Sequence, residues 1–233
     1  MNKLYFLGIG SGYHKSEKNT SAYIKNNDTL LLIDCGETVF KKVLEKDLVN
    51  DVKDIYLLIT HMHSDHIGSL GGFVGFCYWK YKIKTMICFK DKEKIKNYLE
   101  LLGLKEGESF DICDDTIRRI DSLKLEFSAS KTKHVDTMNS YSYNISFDDG
   151  NDIFYSGDTF ETNFNVIPYL ELGNIIYHDA CLNDSEENVH TSLRVLSEVI
   201  PRRYRNQVYC MHIDGENFIE EARKLGFNIA ELI

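Results

Sequence analysis

Short apolar runs of strand length alternate along this chain with longer stretches whose apolar residues recur at helical spacing. Residues 3–9 predict a strand that ends in the tight turn Gly8-Ile9-Gly10-Ser11-Gly12. Residues 20–26 and 29–34 predict a hairpin turned at Asn26-Asn27-Asp28. A helix is expected over 37–46, a buried strand over 54–59, a helix over 66–81 and a strand over 85–89. The amphipathic segment 91–102 reads as a helix closed by Gly103. Several strands fall within 108–130, followed by a second hairpin, 141–147 with 152–156, turned at Asp148-Asp149-Gly150-Asn151. The rest predicts a strand at 174–180, a helix at 191–200 stopped by Pro201 and a strand at 206–211. A helix at 215–225 capped by Gly226 and a last strand at 227–232 complete the pattern.

Strand runs in each half, with helices between them, imply an α/β chain in which two sheets pack together under outer helices. That is a four-layer αββα sandwich. No linker, low-complexity tract or short-period repeat interrupts the pattern, so residues 1–233 read as a single domain. A chain of 233 residues buries a sizeable core without disulfides. Its six cysteines, Cys35, Cys77, Cys88, Cys113, Cys181 and Cys210, form no CxxC pair and read as reduced, mostly buried thiols. No apolar run approaches bilayer-spanning length, and Met1–Gly8 is too short and strand-like for a signal peptide. These features predict a cytoplasmic protein with no membrane partner. The formal net charge of −9 argues against a large nucleic-acid footprint, which needs a basic patch.

The chemistry concentrates in Thr60-His61-Met62-His63-Ser64-Asp65-His66, directly after the buried strand. Imidazole and carboxylate are the ligands a borderline-soft divalent cation such as Zn²⁺ prefers. An extended chain points His61 and His63 to the same side. Asp65 and His66 follow on a turn and can face a second ion. Further candidates sit just past apolar, strand-like runs: His134, Asp158 in Ser156-Gly157-Asp158-Thr159, and His212.

In the order His61/His63/Asp65/His66, His134, Gly157-Asp158-Thr159, His212, these residues resemble the signature of the metallo-β-lactamase fold, ribonuclease Z-like branch. The resemblance covers essentially the whole chain. The segments Phe6–Gly12 and Leu32–Glu37 are similar to that branch as well, and relatives place Asp34 near the metals. The resemblance implies two Zn²⁺ ions, with Mn²⁺ as an alternative. His61, His63 and His134 would hold one; Asp65, His66 and His212 would hold the other; Asp158 would bridge. Ions about 3.5–4 Å apart activate a shared water as a hydroxide nucleophile. Tyr177-His178-Asp179-Ala180 resembles the branch's His-Glu-Ala-Thr, with Asp179 in place of Glu. Val189-His190-Thr191-Ser192 resembles its His-Ser-Thr, with Thr191 or Ser192 capping a helix. By that likeness His190 touches the scissile phosphate and protonates the leaving oxygen, oriented by Asp179. The implied catalytic set is Asp65, His190 and Asp179. His178 reads as a satisfied strand-end residue and His14 as an exposed loop residue.

Two departures narrow the substrate. The short interval between His134 and Asp158 holds one hairpin and leaves no room for the protruding arm of tRNA-maturing ribonuclease Z enzymes. The aromatic stretch Phe73–Tyr81 reads as a buried helical face at Phe73, Phe76, Trp79 and Tyr81. Otherwise it would wall a base-stacking pocket or form a dimer face. The layout also resembles phage anti-Pycsar phosphodiesterases, armless homodimers that open cyclic pyrimidine nucleotides. The expectation is therefore a dinuclear-zinc phosphodiesterase acting on small phosphodiesters, cyclic nucleotides first, as a homodimer. The rival readings are a tRNA 3′-processing endonuclease, a lactone or β-lactam hydrolase, and a non-catalytic nucleotide-binding module.

Overall fold

A computed structural model describes residues 3–15, 18–26, 28–115, 117–162, 166–185, 187–215 and 217–232. One sheet has six strands in the order β1 (Tyr5–Gly8), β2 (Ser21–Lys25), β3 (Thr29–Ile33), β4 (Asp54–Leu58), β5 (Thr85–Cys88) and β6 (Phe110–Cys113). The second sheet runs β7 (Ile117–Ile120), β8 (Leu125–Thr132), β9 (Ser140–Phe147), β10 (Asp152–Tyr155), β11 (Ile175–Asp179), β12 (Val208–Met211) and β13 (Asn228–Ile229). Each sheet starts antiparallel and continues parallel: β3 to β6 in the first, β10 to β13 in the second. Parallel strands need crossover segments, and the helices occupy them.

All five residues of β3 are buried, because the strand is covered on both faces. Leu30 and Leu32 pack outward with Val39 and Val43 of α1 (Val39–Glu45), Phe73 of α3 (Leu70–Phe76) and Ile95 and Leu99 of α4 (Lys92–Leu101). Leu31 and Ile33 pack inward with Leu58, Phe127, Tyr143 and Ile153, between the sheets. The strand period of two thus feeds two cores from one run of leucines. Beyond the second sheet lie α5 (Val166–Glu171), α6 (Leu193–Val199) and α7 (Phe218–Leu225), which bury Leu170, Leu196, Phe218 and Ala222. The result is the expected αββα layering. Among the described residues no helix is long and apolar enough to cross a membrane.

Several local expectations need correction. The helix expected over 66–81 is broken into α2 (Ser64–Ile67), α3 and a wider-wound turn at Cys77–Tyr81. Ser69 interrupts it: its Oγ donates to Gly36 O and accepts from Phe40 N, so the break docks onto the loop after β3. Asp65 and His66 therefore lie on α2 rather than on a turn. The aromatic stretch does not form one buried face. Phe73 is fully buried, but Trp79 is 61% exposed. Nor does the stretch line the cleft described below. Helix α5, which contains Pro168, was not expected. A tight turn over Arg202–Gln207 delays β12, and β13 is only two residues long. His14 is half-buried rather than exposed. All six cysteines are free and buried. Asn27, in the first hairpin's turn, lies outside the described residues.

Candidate metal centre

The strands β3, β4, β8, β10, β11 and β12 end at one edge of the sandwich, and the next few residues of each form the site. After β4 the chain stays extended through His61 and His63, and His63 precedes the first turn of α2 with ψ 153°. His61 Nε2 and His63 Nδ1 thus converge to 2.9 Å, and His134 Nε2 lies 3.2 Å from the same His63 nitrogen. Asp65, in the first turn of α2, sits where the helix dipole favours an anion. Gly36 lets the loop after β3 press against α2: a Cβ there would lie 1.8 Å from Asp65 O. Gly157 holds φ +60° next to Asp158, with Tyr141 O 2.5 Å from where a Cβ would be. Only glycine fits such a left-handed, crowded position cheaply.

Asp158 Oδ2 is the hub. It lies 3.3 Å from His66 Nε2, 3.3 Å from His212 Nε2, 3.7 Å from His61 Nε2 and 3.8 Å from His134 Nε2. His212 Nε2 is also 3.2 Å from Asp65 Oδ2. The donor atoms of His61, His63, His134 and Asp158 form one cluster able to hold an ion, and those of Asp65, His66 and His212 form another.

The far nitrogens are anchored. His66 Nδ1 is 2.9 Å from Asp34 Oδ2, and Thr60 N and Oγ1 donate to the same carboxylate at 2.8 Å each. His134 Nδ1 donates to Val189 O at 3.0 Å, and Thr60 Oγ1 is 3.1 Å from His61 Nδ1. Such partners fix the tautomer of His61 and His134 and leave Nε2 as a lone-pair donor. Burial opposes a charge on His66, but the Asp158 and Asp34 carboxylates raise it well above its ordinary pKa, so an ion there would displace its proton. Asp34 and His212 are both left-handed, at φ 60° and 54°. Each costs about 1–3 kcal/mol, and such strain clusters at functional sites.

The electrostatics fit a cation. Burial, reinforced by the charge on His66, holds His61 well below its ordinary pKa. Burial also lowers His63 and His134. These rings stay neutral, as ligands must. Burial alone would raise Asp158, but His212, His66 and His61 hold it well below its ordinary value. Burial likewise opposes ionisation of Asp65, and the His212 and His66 rings overcome it. His66 Nε2 is buried and makes no hydrogen bond. Imidazole nitrogens and carboxylates crowded this closely form clusters able to hold metal ions, for which such N and O donors are suited.

His190 and Asp179 stand beside this hub. Ser192 caps α6 by accepting from Val195 N, and Thr191 instead donates to Thr159 O at 2.8 Å. That directs His190 into the cleft, with its side chain 24% exposed and Nδ1 2.8 Å from Asp179 Oδ2. Burial depresses His190, but the Asp179 carboxylate more than offsets it and raises the ring to about 9. Asp179 also accepts from Thr159 N at 2.9 Å. His178 turns away, its Nδ1 2.7 Å from Asp179 O.

The sequence reading missed Thr60, which ties Asp34, His61 and His66 together, and Asn188, whose Oδ1 accepts from His190 N at 3.1 Å. Adjacency to His61 and to His190 was the only signal for either. Above the donors lies a cleft of ≈ 580 Å³, whose lining includes Tyr13, Glu37, Asn183, Asn188 and Asp214. That is within the size range of small-molecule sites. None of its described lining residues is Lys or Arg.

Residues 2–229 match the family model described as anti-Pycsar protein Apyc1, and the chain belongs to that family. An anti-Pycsar protein Apyc1 of Bacillus phage vB_BveM-Goe7 is 30% identical over 246 residues, covering 96% of this chain and 93% of the relative. The metallo-beta-lactamase fold protein YhfI from Bacillus subtilis superposes with a TM-score of 0.74 at 16% identity, covering 99% of this chain and 95% of its own. Human tRNase Z, short form, gives a TM-score of 0.67 at 17% identity, covering 98% and 96%. These structural likenesses establish the metallo-β-lactamase fold.

Proposed function

We propose that this protein is a two-metal phosphodiesterase that hydrolyses small phosphodiesters, with cyclic nucleotides as the substrate class. The observation that carries the reading is Asp158 Oδ2, within 3.3–3.8 Å of four imidazole nitrogens, beside a His190 held by Asp179. In this proposal His61, His63 and His134 would hold one zinc ion and Asp65, His66 and His212 the other, with the Asp158 carboxylate available to either. When bound, two such ions bring the pKa of water toward neutrality and offset the negative charge of a phosphoryl group.

The chain's own residues supply the rest. The neutral rings of His61, His63 and His134 present lone pairs without competing protons. Asp179 holds the Nδ1 side of His190, which leaves Nε2–H to face the cleft. His190 stays protonated through neutral pH and donates that proton to the departing alkoxide. Asn188 holds the backbone of His190 in place. The described lining of the cleft adds no Lys or Arg for a long phosphate backbone, and the His134–Asp158 interval is filled by the β9–β10 hairpin. Both features favour a small diester over a folded RNA. Belonging to the anti-Pycsar family supports the same choice. A homodimer is part of the proposal, checked by sedimentation.

The test is turnover by zinc- or manganese-loaded protein of a chromogenic diester, a panel of cyclic mono- and dinucleotides, and a precursor tRNA. Hydrolysis of cyclic nucleotides with the tRNA left intact is expected. Failure to cleave any diester would sink the proposal.

A further inference from the structure

We infer that Cys88 and Cys113 are an oxidation site, which a peroxide closes into a disulfide that clamps the strand end leading to the ligand loop. The inference is independent of the two-metal reading. Cys88 ends β5 and Cys113 ends β6, and the two are direct partners in the parallel ladder. Neighbouring strands run about 4.8 Å apart, and disulfides join Cα atoms about 4.4–6.8 Å apart. Both side chains belong to the core between the sheets, so the sulfurs share one face. The two thiols hydrogen-bond, and that contact outweighs every other influence on either sulfur. Among the remaining cysteines, Cys210 faces His178 and Ile229 in its ladder, and Cys35, Cys77 and Cys181 lie outside the strands.

The pair divides the chemistry. The Cys88 thiol, with the Asp115 amide and the Arg118 guanidinium, lowers Cys113 to about 6 against burial and the Asp115 carboxylate. Cys113 Sγ donates to that carboxylate at 3.1 Å while it keeps its proton. Contact with Cys113, then burial, holds Cys88 well above its ordinary value. Burial pushes Cys35, Cys77 and Cys181 up to about 12 and raises Cys210 as well. The thiolate is the nucleophile, so Cys113 is the reactive one of the six.

Its sulfur attacks one oxygen of hydrogen peroxide, the O–O bond breaks, and a sulfenic acid forms as the other oxygen leaves as water with the Cys113 proton. The Cys88 sulfur then attacks that sulfur, the S–O bond breaks, and the hydroxide leaves as water with the Cys88 proton. Two thiols and one peroxide thus give one disulfide and two waters. Cys113 is 6% exposed and Cys88 4%, which favours so small an oxidant over a bulky disulfide. The bond forms at a junction. Cys88 O accepts from Ile59 N at 3.2 Å, Phe89 N donates to Cys113 O at 3.0 Å, and Tyr143 Oη reaches both Cys88 O and Ile59 O. Ile59 runs directly into Thr60 and His61. A cross-link here resists local opening of β4, β5 and β6 together.

The full chain, reduced and then treated with hydrogen peroxide at pH 7, tests this by thiol counting, peptide mapping and amide hydrogen exchange. Two of the six thiols should disappear. The peptides carrying Cys88 and Cys113 should be joined, and dithiothreitol should release them. Cys113 should react about 10-fold faster than any other cysteine. Cys88→Ser should leave Cys113 as a sulfenic acid that dimedone traps, and Cys113→Ser should protect Cys88. Cys88→Ala serves if serine in the core does not fold. Exchange at the Ile59 and Phe89 amides should slow about 10-fold on oxidation and recover on reduction. Six surviving thiols, a bond between other cysteines, or unslowed exchange at those amides overturns the inference.

Discussion

The two halves of the molecule build their shares of the site in opposite ways. The first half delivers His61, His63, Asp65 and His66 from one stretch after β4, braced from behind by Asp34 and Thr60. The second half delivers His134, Asp158, Asp179, His190 and His212 from separate strand ends and a helix start. A contiguous loop sets its own internal geometry. A dispersed set depends on sheet register: Tyr155 pairs with Tyr177, and Asp179 with Met211, just before His212. One slipped strand in the second half would carry a single ligand away, whereas a shift of the first-half loop would move four together. The first half therefore acts as a preformed cup, and the second as a set of independently placed contacts closing over it.

The sharpest way to break this comparison is to remove the contact that joins the halves. Asp158→Ala takes away the oxygen near four imidazole nitrogens and leaves those rings facing one another. Diester turnover should vanish, and metal analysis should find fewer than two ions per chain. Two tightly held ions in this variant would show that the first half suffices as a cup and that the hub is dispensable.

Next in size is His190→Ala, which touches only the second half. A positioned general acid contributes about 10²–10⁴-fold, and kcat on an alkoxide-leaving substrate should drop by that order with the proposed pair of ions retained. The loss should shrink for a nitrophenyl diester, whose leaving group departs without a proton. An equal loss on both substrates would mean that His190 shapes the site rather than donating a proton.

Asp34→Asn tests whether the first half is one rigid unit. Removing such a carboxylate behind a ligating histidine typically costs about 10–100-fold in metal affinity. Chelator competition should show the loss on the ion proposed for His66, whose Nδ1 Asp34 engages, more than on the ion proposed for His61, His63 and His134. Equal weakening of both ions would mean that Asp34 holds the whole loop through Thr60.

The same contrast governs what could be read from the sequence. His61 to His66 declare themselves, because so many imidazole and carboxylate donors crowded directly after one buried strand rarely serve anything but a metal. The αββα layering was legible from strand runs such as Leu30–Ile33, whose burial on both faces removes polar alternation. His134, Asp158 and His212 carry only a strand-end signal, which made them candidates until their order within a family resemblance assigned them, and Asp179 and His190 were selected by that resemblance alone. Long-range contacts were invisible. Ser69 breaks the helix over 66–81 because it meets Gly36, far away in sequence. Trp79 was misjudged because helical spacing shows which residues share a face but not whether a neighbour covers it.

The finest probe of the second half is Asp179→Asn, read in the pH profile. Asp179 raises His190 to about 9, so the acid form persists through neutrality and is lost as pH climbs past that value. Asparagine keeps the shape and removes the charge, and with burial no longer offset the ring should fall to its ordinary value near 6.5 or below it. At the acid end of the profile both forms keep the ring protonated, so kcat there should change least. At pH 8 the shortfall should be largest, because the alkaline limb has moved to lower pH. The stability of metal-stripped protein should follow the same sign. A ring raised above its unfolded value stabilises the fold fully below about pH 6.5 and loses that contribution as pH rises through its folded value. Removing Asp179 should therefore flatten the thermal-melt profile between the two. An unmoved alkaline limb would mean that Asp179 serves the second half only through Thr159 N, as a strand-end brace, and that His190 takes its acidity from elsewhere.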